Sequence, residues 1–205
     1  MKSLRNGLLF ALLATVSASG WAQGIVVVGD SISAAFGLEI EQGWVQLLRE
    51  RLEERGYDKP VINASVSGDT TAGGLARLPR LLAEHEPELV IIELGGNDGL
   101  RGLPPANMQQ NLSAMIERSE QAGADVIVLG MMIPPNYGLR YTRAFSEVFT
   151  DVADQHNVPL VPFLLEGIGD RPQLMQADRI HPTAAAQPKI LDNAWPAIDT
   201  WLEDQ

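Results

Sequence analysis

The sequence predicts an α/β protein, a five-stranded and mostly parallel sheet with helices on both faces. One observation predicts this class, and a second predicts the number of domains. Short apolar runs alternate with longer segments of helical period, and this alternation is typical of parallel strands joined by helices. In addition, the 205 residues contain no Gly/Ser-rich linker, internal repeat or shift in composition, which suits one compact domain. We therefore predict a single domain over residues 23–205.

The apolar runs are the predicted strands. They are Ile25–Val28, Val61–Ala64, Leu89–Leu94, Val126–Met131 and Val158–Phe163. Helical spacing fills the segments between them, and the first such segment ends at Gly56, a typical helix terminator. Its apolar stripe is Trp44, Leu47, Leu48 and Leu52.

A closing helix is predicted from about Thr183 to Leu202. Three long segments, each following a strand, are predicted to be irregular. Loops at strand ends commonly carry binding and catalytic residues, so we expect these segments to build the site: Gly95–Pro105, Ile133–Leu139 and Leu164–Ile180.

The N-terminus has the pattern of a cleavable secretory signal. Lys2 and Arg5 precede an apolar stretch, and small residues follow up to Ala22. The apolar core of about nine residues is too short for a membrane span, which needs roughly 20. We therefore predict a signal peptide over residues 1–22, a periplasmic or secreted mature chain, and no stable membrane anchor.

Composition excludes several classes of function. The formal charge is −11, whereas nucleic-acid binding depends on Lys and Arg that neutralise phosphates. No nucleic-acid partner is expected. The chain contains no cysteine, which excludes disulfides, thiolate metal ligands and a cysteine nucleophile.

Polar blocks follow four of the predicted strands. The first reads Gly29-Asp30-Ser31, and the others include Gly68, Asn97 and the sequence from Asp178 to His181. Because the carboxyl ends of parallel strands meet at one edge of a sheet, we expect these blocks to lie together.

The residue types in these blocks fit nucleophilic catalysis. A serine hydroxyl needs an imidazole to take its proton and a carboxylate to orient that imidazole. Ser31, His181 and Asp178 supply these groups. Donors for an oxyanion are available from the backbone N–H groups of Ser31 and Gly68 and from the side-chain amide of Asn97.

Each block also has a simple structural interpretation. Gly-Asp-Ser is a common turn sequence, and Pro182 after His181 is typical of a helix start. Asp30, Asp69 and Asp98 all follow strands, as carboxylates that hold Mg²⁺ also do. A metal site would leave Ser31 and His181 without a role, so we expect neither a metal nor a cofactor.

Taken together, the four blocks resemble those of the SGNH, or GDSL-type, hydrolases. They read Gly29-Asp30-Ser31-Ile32, Gly68-Asp69-Thr70, Gly96-Asn97-Asp98 and Asp178-Arg179-Ile180-His181-Pro182. The resemblance implies a three-layer, flavodoxin-like fold with strand order 2-1-3-4-5. It also implies that Ser31 is the nucleophile, that Gly68 and Asn97 are oxyanion donors, and that Asp178 and His181 complete the triad. The α/β-hydrolase elbow is disfavoured, because Ser33 stands where that motif has glycine.

Within this family the chain is similar to the small secreted bacterial thioesterase/arylesterase/lysophospholipases. That similarity implies hydrolysis of acyl esters, thioesters and lysophospholipids. We expect the chain to act as a monomer. The similarity further implies that the loop after Asn97 moves over the acyl chain and that segment 131–138 borders the acyl groove. The expected substrate contacts are Leu100, Met131, Ile133, Pro134 and Tyr137.

Two other functions are compatible with the same blocks. One is a carbohydrate O-acetyl esterase on this scaffold, which would prefer acetyl to longer acyl groups. The other is an inactive member that binds lipid or glycan, although four intact blocks argue against it.

Overall fold

The computed structural model describes residues 24–205, and the predicted signal peptide lies outside them. Five parallel strands form one sheet in the order β2-β1-β3-β4-β5, which confirms the predicted fold class. The strands are β1 (Ile25–Gly29), β2 (Val61–Asn63), β3 (Leu89–Glu93), β4 (Asp125–Leu129) and β5 (Leu160–Val161).

The central strands are buried on both faces. Every residue of β1 and β3 is buried, because helices cover both sides of the sheet. This burial explains why these strands read as continuous apolar runs instead of alternating patterns.

The edge strand β5 is much shorter than predicted. Val158–Phe163 was expected to be extended, but only two residues of it pair with β4, through Val128↔Leu160 and Leu129↔Val161. Proline lacks the N–H that a ladder needs, and Pro159 and Pro162 flank β5 on either side.

In residues 24–205, the longer helices lie in two layers against the sheet. Helices α1 and α6 pack together on one face, and α2, α4 and α5 pack in sequence on the other. The helix bounds are α1 (Trp44–Glu54), α2 (Thr71–His85), α3 (Gly96–Leu100), α4 (Pro105–Gln121), α5 (Leu139–His156) and α6 (Gln187–Glu203). None of the helices in residues 24–205 is long and apolar enough to cross a membrane.

The prediction of an irregular segment over Gly95–Pro105 is wrong at its beginning, where α3 forms. Gly95 takes a left-handed φ of 119°, which lets the chain turn from β3 directly into a helix. Glycine-rich sequence has poor helix propensity, so the pattern alone did not predict this turn of helix. The closing helix also differs slightly, because Ala184–Ala186 form a 3₁₀ turn before α6.

Candidate active site

Strand order brings three of the blocks side by side. Strand β1 lies between β2 and β3, so the turn after β1 is flanked by the loops after its two neighbours. Ser31 follows β1, Gly68 lies between β2 and α2, and Asn97 is in the first turn of α3 after β3. The fourth block arrives from the connection between β5 and α6.

The structure brings Ser31, His181 and Asp178 into one hydrogen-bonded chain. His181 Nε2 lies 2.9 Å from Ser31 Oγ, and His181 Nδ1 lies 2.7 Å from Asp178 Oδ2. Since Asp178 is an acceptor at neutral pH, Nδ1 carries the proton and Nε2 is free to accept one from the serine.

Asp178 is held in its ionised form. The hydrogen bond to His181 and those from the backbone N–H groups of Ile180 (2.9 Å) and His181 (3.0 Å) lower the pKa of its carboxyl to about 2. A carboxylate that accepts several N–H donors is stabilised in this way. The same bonds fix the backbone that carries the imidazole.

The phenyl ring of Phe36 packs against the imidazole ring of His181. The Phe36 and His181 ring centroids are 4.4 Å apart, with an interplanar angle of 35°. Gln176 fixes this arrangement, because its Nε2 donates to the carbonyl groups of Phe36 (2.8 Å) and Pro182 (3.0 Å). Sequence reasoning did not find Phe36, and a single apolar residue in a loop gives no signal that it will contact a residue far along the chain.

The predicted oxyanion donors are the backbone N–H groups of Ser31 and Gly68 and the side-chain amide of Asn97. The N–H groups of Ser31 and Gly68 donate no hydrogen bond within residues 24–205, which leaves them available to a ligand. Gly68 has a φ of 80°, a left-handed conformation that favours glycine. Asn97, like Ser31, lines an open cleft that is described below.

Asp30 orients the Asn97 amide. Asn97 Nδ2 donates to Asp30 Oδ2 at 2.9 Å, and Ile32 N donates to Asp30 Oδ1 at 3.0 Å. One amide hydrogen of Asn97 is thus committed to Asp30, and the second remains for a ligand in the cleft. Asp30 is almost completely buried, and desolvation raises the pKa of its carboxyl to about 6 in spite of these two bonds.

A second buried acid forms hydrogen bonds with the turn that follows β1. Glu93, at the end of β3, is fully buried, and its Oε2 accepts from Ser33 Oγ at 2.7 Å and Asp30 N at 3.3 Å. Trp44 Nε1 donates to the same Ser33 Oγ at 3.1 Å. Desolvation and then the nearby Asp30 charge raise the pKa of Glu93 well above its usual value. Sequence reasoning passed over Glu93, although an acidic residue inside an apolar strand was a usable signal.

The three aspartates that follow strands face different partners. Asp69 pairs with Arg77 at 2.8 Å, whereas Asp98 accepts from the backbone N (2.9 Å) and Oγ1 (2.6 Å) of Thr71. Within residues 24–205, no group of three His, Asp or Glu side chains is arranged to hold a metal ion.

An apolar cleft of about 430 Å³ opens beside Ser31. Four of the five expected substrate contacts line it: Leu100, Met131, Ile133 and Pro134. Tyr137 is absent from the lining, and its hydroxyl donates to the Leu100 carbonyl at 2.8 Å. The lining also includes residues that the sequence reasoning did not single out, among them Leu165, Met175, Arg179 and Ile180.

Comparison with known proteins gives consistent matches over this architecture. Residues 27–187 match the model of the GDSL-like lipase/acylhydrolase family. The chain is 58% identical over 199 residues to esterase TesA of Pseudomonas aeruginosa, covering 97% of this chain and 98% of that protein. It is 42% identical over 184 residues to thioesterase 1/protease 1/lysophospholipase L1 of Escherichia coli K12, covering 90% and 86%.

A solved structure agrees with the fold. The crystal structure of TesA superposes with a TM-score of 0.84 at 60% identity, covering 86% of this chain and 98% of that chain.

Proposed function

The chain belongs to the GDSL-like lipase/acylhydrolase family, and on that basis we propose that it hydrolyses acyl esters and thioesters through an acyl-enzyme on Ser31. The observation that carries this proposal is the continuous hydrogen-bonded chain from Ser31 to His181 to Asp178. Related proteins are named as an esterase, as an arylesterase, and as a thioesterase and lysophospholipase, which supports activity of these kinds.

In the first half-reaction, Ser31 Oγ bonds to the acyl carbon while its proton passes to His181 Nε2. The resulting oxyanion accepts hydrogen bonds from the N–H groups of Ser31 and Gly68 and from Asn97, and each such donor typically contributes about 3–4 kcal/mol to the transition state. His181 then gives its proton to the leaving alcohol or thiol as the bond to the acyl carbon breaks.

In the second half-reaction, water attacks the acyl-enzyme. His181 takes a proton from the water and returns it to Ser31 Oγ when the free carboxylic acid departs. Asp178 remains ionised throughout and stabilises the imidazolium. The residues of the site supply every group that this reaction uses, so the proposed chemistry requires neither a cofactor nor a metal.

The cleft supports substrates with an extended acyl group. Its volume of about 430 Å³ and its lining of Leu, Met, Ile and Pro side chains are typical of a pocket that buries an apolar ligand. An O-acetyl esterase would leave most of this surface uncovered. We therefore propose a preference for medium or long acyl chains, which a series of p-nitrophenyl esters of increasing length measures directly.

The nucleophile is tested by Ser31→Ala. We expect kcat on a p-nitrophenyl ester to fall about 10⁴-fold or more, the loss typical of a triad serine, and the burst of p-nitrophenol to disappear. Ser113→Ala, on α4 outside the cleft lining, is the matched control. Activity above about one hundredth of wild type in Ser31→Ala would contradict the assignment.

We also propose that the chain is exported, with residues 1–22 removed, and that it acts as a monomer in the periplasm or medium. The cationic, apolar and small-residue order of its N-terminus supports export. Mass spectrometry of the protein recovered from the periplasm tests this, because an intact Met1 there would contradict cleavage.

A further inference from the structure

Among the described residues, the cleft lining contains one cationic side chain that the proposed chemistry does not use. Arg179 lines the cleft together with Ser31 and His181 and is exposed to solvent. Its guanidinium makes no ion pair within residues 24–205. By contrast, Arg77 is paired with Asp69.

The backbone at this position favours glycine. Arg179 has a φ of 59°, in the left-handed region that side chains disfavour sterically. The conformation is imposed by the loop, in which Asp178 Oδ1 accepts from the N–H groups of Ile180 and His181. Arg179 N donates to Gln176 O at 2.9 Å. Residues in sparsely populated backbone conformations cluster at functional sites. Arg179 combines such a conformation with a position at the cleft and a side chain that forms no ion pair within residues 24–205.

The position of Arg179 relates it to the leaving group. In the proposed reaction, which this inference rests on, His181 Nε2 protonates the departing oxygen or sulfur, so the leaving group lies beside His181. Arg179 is two residues from His181 and lines the same cleft. The acyl chain is accommodated by the apolar lining, including Met131 and Ile133.

We propose that Arg179 binds a phosphate carried by the leaving alcohol or thiol, and that it makes the enzyme prefer phosphate-bearing acyl esters to neutral ones. A guanidinium can donate two parallel hydrogen bonds to phosphate oxygens. The whole chain carries a net charge of −11, and its general field repels anions. A local cation in the cleft offsets that repulsion where the phosphate would lie.

The test uses two esters that differ only in the phosphate. These are 1-octanoylglycerol 3-phosphate and 1-octanoylglycerol, both kept below the concentration at which they form micelles. We define the phosphate preference as the kcat/KM for the first ester divided by that for the second. Octanoyl-4′-phosphopantetheine compared with octanoyl-pantetheine, which differ only in one phosphate, measures the same ratio for thioesters. This pair separates a phosphoglycerol from a phosphorylated thiol as the source of the phosphate.

Arg179→Gly is the informative variant, because glycine adopts the left-handed backbone without strain and the loop should keep its conformation. We expect the phosphate preference of wild type to fall about fivefold to tenfold in this variant, the effect of losing a partly exposed charged contact. Arg179→Lys should retain part of the preference, because it keeps the positive charge but not the two parallel hydrogen bonds. The preference of wild type should also decrease in high salt.

Arg80→Gln is the matched control, since it removes the same charge from the exposed surface of α2, where Arg80 pairs with Glu84. The inference would be overturned if Arg179→Gly kept the wild-type preference within about twofold, or if Arg80→Gln lowered it equally. Hydrolysis of the neutral ester with no effect of Arg179→Gly would overturn this inference and leave the proposed function standing. Hydrolysis of neither ester nor thioester by wild type would overturn both.

Discussion

At the scale of single residues, the first block has two functions that its sequence does not separate. Ser31 supplies the hydroxyl, whereas Asp30 accepts from Asn97 and fixes the direction of that amide. Asp30 is a positioning residue, because it acts on the oxyanion donor and not on the substrate. Its ionised form is the better acceptor, and with a pKa of about 6 that form predominates at neutral pH.

The variant Asp30→Asn should misdirect the oxyanion donor. The introduced amide would accept from Ile32 N through its oxygen, so that its NH₂ would face the NH₂ of Asn97 and force that amide to turn. We expect kcat to fall about 10²- to 10³-fold, the loss typical of one oxyanion donor, with little change in KM. Asp58→Asn, at an exposed site, is the control. A kcat within about threefold of wild type would show that Asn97 is oriented without Asp30.

The same carboxyl links stability to pH. The folded chain holds the Asp30 proton with a pKa of about 6, against 3.8 for an unperturbed aspartate, so its contribution is fully present below about pH 4 and is lost as the pH rises through 6. Urea unfolding of wild type and Asp30→Asn at several pH values measures this. The measured quantity is the unfolding free energy of wild type minus that of Asp30→Asn. We expect this difference to be about 2 kcal/mol larger at pH 4 than at pH 7. A difference that grows with pH would contradict the assigned direction.

At the scale of elements, close packing of a helix on the sheet depends on one small residue. Gly74, in α2, lies directly against Leu94 at the end of β3, and a Cβ at Gly74 would overlap the Leu94 Cδ1 atom. The same region leads into Gly95 and α3, which carries Asn97. Leu94 thus packs against α2 one residue before the turn into α3.

A double-mutant cycle tests this packing. Gly74→Ala should lower the free energy of unfolding by about 1–3 kcal/mol, because the added methyl overpacks the core. In a Leu94→Ala background the added methyl has room, and its cost should be smaller or reversed. Urea unfolding of wild type, the two single variants and the double variant gives the interaction free energy between the two positions. Additive effects would show that the two residues do not compete for the same space.

At the scale of the whole molecule, the parallel sheet collects the chemistry at one edge, and the described chain shows no arrangement of side chains suited to a metal ion. We therefore expect dialysis against EDTA to leave kcat and Tm unchanged, relative to a sample dialysed without chelator. Loss of activity that added Mg²⁺ restored would contradict the metal-free mechanism.

Local patterns in the chain identified most of the elements and the chemical groups. Strand and helix periods, turn residues and the four blocks predicted the α/β class and singled out Ser31, Asp178 and His181. The strand order came from the resemblance that those blocks carry. Local patterns also had limits, since they gave β5 too many residues and missed α3.

How these groups meet was settled by tertiary packing alone. The hydrogen bond from Asn97 to Asp30 joins residues 67 positions apart in the sequence. The contact between Phe36 and His181 joins two distant loops. Tyr137 bonds to the Leu100 carbonyl and does not line the cleft, although Ile133 and Pro134 do. The physical reason is that such contacts depend on the packing of loops against a shared core. No periodicity or turn preference in one segment specifies where another segment will lie.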